Sequence, residues 1–181
     1  MSDQERERLV RMAKAYVAFL NAIPWTHDLV EEGVREGLNK FLSNAYLGSF
    51  PRHLKHKHRL TQLISVAALQ RLKNKQKGGL VFEHVVPKRW LIQAPCEEQA
   101  RKGELTVAFV LSLLEKYWIL ATITTEEDRL LTRGSMPGGW DGGDVRARYK
   151  MVGIDLQDNL NAVEGVPRYV IGGGAGRPTT G

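Results

Sequence analysis

The stretch GGLVFEHVVPKRW, from Gly78 to Trp90, decides the fold class, because it breaks a chain that is helical in pattern up to that point. Leu80 to Val86 is rich in β-branched and aromatic residues, is bounded by a diglycine and stops at Pro87; these are the marks of a short strand followed by a turn. A second such run, WILATIT, lies at Trp118 to Thr124. It leads into TTEEDRLL, where Thr124 stands three residues before Glu127, the spacing of a capping box, so this strand passes directly into a helix. Between the two strands, Glu104 to Trp118 is amphipathic, with Val107, Val110, Leu111, Leu114 and Trp118 on one side.

Upstream, apolar residues recur at intervals of three and four. Asp3 can cap a helix carrying Leu9, Met12, Ala13, Tyr16, Phe19, Leu20 and Ile23, which Pro24 ends. Thr26 can cap a second, with Leu29, Val30, Val34, Leu38, Phe41, Leu42 and Ala45 on one face. A third is expected from Pro51 to about Lys73, burying Leu60, Leu63, Ile64 and Ala67. Short turns between three helices point to a bundle. The expected fold is α+β and mostly helical: an N-terminal helical bundle, a short antiparallel strand pair followed by a helix, and a flexible C-terminal tail. The expected regions are a basic helical part at 1–78, a ββα-like part at 79–156 packed on it as one domain, and an extension at 157–181, Gly-rich and flexible from 172.

A chain of 181 residues can bury a core without covalent staples. One cysteine, Cys96, excludes an internal disulfide framework and a Cys-rich zinc knuckle. The charged start and the shortness of the longest apolar stretch, Val107 to Leu114, argue against a leader or a membrane span, so a cytoplasmic protein is expected. Charge is distributed unevenly. Gly37 to Phe82 holds nine of the 26 basic residues and none of the 20 acidic ones. An acid-free run of that length attracts polyanions, and for nucleic acid it supplies the salt-sensitive, sequence-independent part of binding. The expected contacts are Arg52, Lys55, Lys57, Arg59, Arg71, Lys73, Lys75 and Lys77, joined by Lys88, Arg89, Arg146 and Arg148, with DNA rather than RNA as partner.

Two further clusters carry chemistry-bearing side chains. In RHLKHKHRL, His53 and His56 share a helical face, but His56 and His58 lie about 200° apart on a helix and cannot point at one ion. They fit the basic face better than a metal site. In SMPGGWDGGDVRARY, Asp144 is placed to cap a short helix that Gly153 stops, while Trp140 can plug a core; alternatively Asp141 approaches a metal and the two arginines grip phosphate.

EHVVP, Glu83 to Pro87, resembles the first strand of the HNH, or ββα-metal, endonucleases. The resemblance implies that Glu83 ligates a divalent ion, Mg²⁺ or Mn²⁺, and that His84 is the general base activating water against a phosphodiester. It also directs attention to Glu127 and Asp128, after the second strand, as further metal ligands in place of the family's Asn or His. Its specific part covers five residues. Neighbours in a strand face opposite ways, so the resemblance needs a bend at the strand end to bring Glu83 and His84 into one cleft. Three function classes follow: a metal-dependent endonuclease, a non-catalytic DNA- or RNA-binding regulator, and an adaptor or inhibitor docking an acidic protein.

Overall fold

The structure, a computed structural model, describes residues 3–54, 56–76, 78–132, 134–163 and 166. Helices α1 (Asp3–Asn21) and α2 (Asp28–Gly48) are followed by two short 3₁₀ turns, Arg52–Leu54 and Lys57–Arg59. Strand β1 (Leu63–Ser65) runs into α3 (Val66–Lys73), and β2 (Leu80–His84) into a π-helical turn, Arg89–Gln93, continuous with α4 (Ala94–Arg101). Then come α5 (Val107–Tyr117), β3 (Leu120–Thr124), α6 (Thr125–Leu130), α7 (Ala147–Met151) and β4 (Leu156–Asp158). The α+β, mostly helical fold expected from the sequence is the one observed.

The strands form one sheet of order β2-β3-β1-β4. β2 and β3 are the expected antiparallel pair, in the register Leu80 to Thr124 and His84 to Leu120. β3 pairs parallel with β1, and β4 closes the other edge antiparallel to β1. Strand alternation then builds two cores. One face turns Phe82 and Leu120 toward the helical layer, where Leu9, Tyr16, Leu38, Leu42, Val110 and Leu114 pack. The opposite face carries Val81, Leu63, Ala121 and Ile123 against Tyr149 of α7, Val145, Leu131 and Ile154.

The capping box at β3–α6 is present: Thr124 Oγ1 accepts from Glu127 N at 3.2 Å, and Glu127 Oε2 accepts from Thr124 N at 2.8 Å. Gly153, at φ 72°, ends α7 as the sequence suggests. Asp144 is not the N-cap expected of it: that position is Arg146, without a side-chain cap bond, and Asp144 Oδ1 closes the turn before it, accepting from Arg146 N at 2.9 Å.

Three expectations are corrected. The third helix does not run from Pro51 to Lys73: its apolar middle is β1, all three residues of which are buried between β3 and β4, and only α3 is helical, capped by Ser65 Oγ, which accepts from Ala68 N at 3.0 Å. A three-residue stretch carries no period, so the sheet decides its state. The bundle is completed instead by α4 and α5, which pack on α1. The boundary expected after 156 falls inside β4, since Leu156 pairs with Ser65 and Asp158 with Leu63. The tail expected to be flexible from 172 lies outside the described residues.

Candidate nucleic-acid interface

At the end of β2 the strand keeps its alternation, and this separates the two residues of the opening motif. The Glu83 carboxylate pairs with Arg148, a residue only 3% exposed, on the α7 side of the sheet. Arg148 also donates to three carbonyls: Nη2 to His84 O at 2.5 Å, Nε to Val85 O at 3.0 Å and Nη1 to Thr132 O at 3.4 Å. His84 points the other way, with its ring edge-on to Trp118 at 4.8 Å between centroids and Nε2 3.3 Å from Ser43 Oγ. The residue is half-buried, but Nδ1 is shut off from solvent and makes no hydrogen bond among the described residues. Burial, helped by the nearby Lys88 and Arg148 charges, pulls the imidazole from its usual 6.5 down to about 3. So weak a base takes little of a proton from attacking water.

Two of the carboxylates expected from the resemblance to hold a metal already have other partners. Glu83 is neutralised by Arg148, while Glu127 is held by its capping box and accepts from Ser65 Oγ at 2.6 Å. Glu127 caps the residue opposite Leu80, and Glu83 sits opposite Ala121, three residues away along the sheet. Asp128 lies beside Tyr149 and raises its phenol further above a range already lifted by burial. Among the described residues no three side chains of metal-ligating type come together, and Asp141 instead closes a turn, accepting from Gly143 N at 2.8 Å. Trp140 packs against the second core as the sequence allows.

The twelve expected nucleic-acid contacts divide sharply. Lys55 and Lys77 lie outside the described residues. Arg148 is inside the protein. Arg89 pairs with the buried Glu97, which also faces Arg35 at 3.6 Å. Arg146 donates to Leu156 O at 3.0 Å and faces Asp158 at 3.8 Å. Lys88 donates to Asn39 O, and burial lowers its ammonium. Arg71 pairs with Glu126 at 3.1 Å. Its guanidinium passes so close to Gly79, at φ 68°, that a Cβ there would lie 2.6 Å from Nη1. Arg52, Lys57, Arg59, Lys73 and Lys75 remain exposed, and no ion pair engages them among the described residues.

Three of those five converge. Arg59, Lys73 and Lys75 line a groove of about 670 Å³ between the second 3₁₀ turn, α3 and the segment after β4. Leu69, Leu72, Leu160 and Ala162 give it apolar surface, and His58 and Asn161 complete it. None of the described lining residues is acidic. The walls are tied by Asn159, whose Nδ2 donates to His58 O at 2.7 Å and Thr61 O at 3.0 Å, while Val163 N donates to Arg59 O at 2.9 Å. Thr61 is fixed in turn by a 2.9 Å hydrogen bond to Thr122 of β3. His56 lies outside the 3₁₀ turn in extended backbone, ψ 105°, and not on a helix with His58, so the two rings, expected apart, stack at 5.8 Å and 26°. The second wall was missed in the sequence. Its only signal there is an apolar residue between two asparagines in DNLNA, Asp158 to Ala162.

No family model, curated protein or solved structure matches this chain. No helix among the described residues is long and apolar enough to cross a membrane.

Two outcomes follow from the strand end. Arg148→Ala leaves Glu83 without its cation and the buried carbonyls without a donor, so a loss of about 3 to 5 kcal/mol is expected in urea unfolding. An effect within about 0.5 kcal/mol would show that the pairing is unimportant. For His84, the unfolded chain takes up a proton below pH 6.5 that the folded chain refuses down to about pH 3. Stability is therefore lost as pH falls through that window, by up to about 1.4 kcal/mol per pH unit. His84→Leu should remove this component from the pH dependence of the unfolding midpoint.

Proposed function

We propose that this protein is a non-catalytic nucleic-acid-binding protein that docks phosphates along the groove rimmed by Arg59, Lys73 and Lys75. The observation that carries the reading is convergence: three exposed cations from two parts of the acid-free segment line one concave site, and none of its described lining residues is acidic. Phosphate oxygens need donors that have no internal acid to satisfy, and among the described residues these side chains meet that condition. The endonuclease reading has less support, because Glu83 and His84 face opposite sides of the sheet and the carboxylates of Glu83 and Glu127 are engaged separately. We place the protein in the cytoplasm, in keeping with a single, buried cysteine whose thiol burial pushes up to about 12.

Lys75 adds a physical argument. It is the one non-glycine residue with positive φ, 59°, among the described residues, and it ends α3 with its N–H on Leu72 O and that of Gln76 on Arg71 O. Glycine suits this left-handed position; a side chain there costs about 1 kcal/mol. Strain kept at the lip of a groove is consistent with a side chain retained for binding.

The test is a salt titration of oligonucleotide binding. Charge reversal at Arg59, Lys73 and Lys75 should weaken binding and reduce the slope of log K against log salt by about 0.7 to 0.9 for each phosphate no longer neutralised. Lys75→Gly should weaken binding while raising stability by about 1 kcal/mol. Unchanged slopes in the reversed variants would overturn the reading. Cleavage by wild type with Mg²⁺ or Mn²⁺, abolished by EDTA and by His84→Ala, would return the case to the endonuclease.

A further inference from the structure

Lysines and arginines on an open, polar face would suffice for a ligand recognised by its phosphates alone. This groove is different. Its cations rim a cavity whose other lining is largely aliphatic, and Leu160 is 93% exposed at its mouth. The turn that presents Leu160 is fixed on both sides: Leu160 N donates to Asp158 O at 3.1 Å, Asn161 N to Asn159 Oδ1 at 3.2 Å and Ala162 N to Asn159 O at 2.9 Å. Asn159 is itself buried and anchored to the opposite wall through His58 O and Thr61 O. The apolar surface is thus held in place before any ligand arrives. Across from it, the wall contributes His58, whose ring stacks on that of His56.

A duplex cannot use such a site. Its bases are stacked inside and it offers a rigid, charged exterior, so an apolar cavity between cations would face only phosphate and sugar. A single strand presents both chemistries within one nucleotide: a flat base with an apolar face, which imidazole and aliphatic side chains can cover, and a phosphate on either side for the rim. The volume, about 670 Å³, lies in the range of small-ligand pockets and suits a splayed-out nucleotide rather than a helix.

We propose that the groove is a receptor for an unstacked nucleotide of a single-stranded nucleic acid, with the base against Leu160, Leu72 and His58 and the flanking phosphates on Arg59, Lys73 and Lys75. The inference rests on the nucleic-acid-binding reading above and adds its substrate class. DNA and RNA single strands share the chemistry that the site recognises.

The experiment measures fluorescence anisotropy of the full chain with four labelled probes of equal length: oligo-dT, oligo-U, an abasic deoxyribose-phosphate strand and a blunt DNA duplex. Either single strand should bind roughly ten-fold tighter than the duplex and the abasic strand, a difference set by base contacts. Comparison of oligo-dT with oligo-U shows which sugar is preferred. Leu160→Ala should weaken the better single strand by about three- to ten-fold, leave the abasic strand unaffected and leave the salt slope unchanged, because it removes no charge. Leu160 is exposed, so the variant should fold; His58→Ala provides a second variant on the other wall. If duplex and abasic strand bind as tightly as the single strands, or if Leu160→Ala changes nothing, the inference fails while phosphate binding stands. If no probe binds at low salt, both readings fail.

Discussion

The guanidinium of Arg148 is the group on which the rest of the arrangement depends. It lies in the second core, and a cation there is tolerable only with a counter-charge and with acceptors for its donors. Glu83 supplies the charge, and the carbonyls of His84, Val85 and Thr132 supply acceptors. Those acceptors come from the end of β2, the residue after it and the loop beyond α6. One side chain on α7 therefore holds β2 at the position where its ladder ends, and Tyr149 and Val145 close over the same face. The constraint also fixes what Glu83 can do. A carboxylate that neutralises a buried arginine is not available to a metal ion, because removing it would leave the cation uncompensated.

That same strand shows how far the sequence could be read. The alternation in LVFEH, the capping box at Thr124 and the three-four spacing of α1 and α2 are local patterns, each produced by a single element, and each element is found there, although α2 starts after His27 without a side-chain cap and not from Thr26. The capped helix after β3 was legible because Thr124 and Glu127 satisfy each other without help from elsewhere. β1 was not, since Leu63 to Ser65 becomes a strand only because β3 and β4 flank it. Arg148 was not legible either: a sequence shows a cation, and only the fold shows that Glu83, 65 residues earlier, faces it. The resemblance of EHVVP turns on the same point. It needed a bend to turn adjacent residues into one cleft, and β2 stays regular through His84, paired with Leu120.

Of the groove, the sequence displayed one wall. Arg59, Lys73 and Lys75 belong to the acid-free segment, whereas Leu160 to Ala162 follow β4, about 90 to 100 positions later, in a part that reads as an extension. Asn159 connects the two. It is buried, reaches back to residues 58 and 61, and would look like any loop asparagine in a linear reading.

Of the expected contacts, Arg52 and Arg59 stay exposed beside the lysines, while four other arginines do not. Arg71, Arg89, Arg146 and Arg148 all have internal partners, and their planar, multi-donor heads suit that work, since one head can serve a carboxylate and several carbonyls together. Lys57, Lys73 and Lys75 stay exposed, as a compact and strongly hydrated ammonium favours; Lys88, half-buried on Asn39 O, is the exception. The count of basic residues thus overstates what a ligand can reach. Several of the cations that make the chain basic are occupied in holding the sheet and helices together, and those left outside include three that share one groove. The salt dependence of any nucleic-acid complex should accordingly reflect a handful of phosphate contacts, far fewer than the 26 basic residues present.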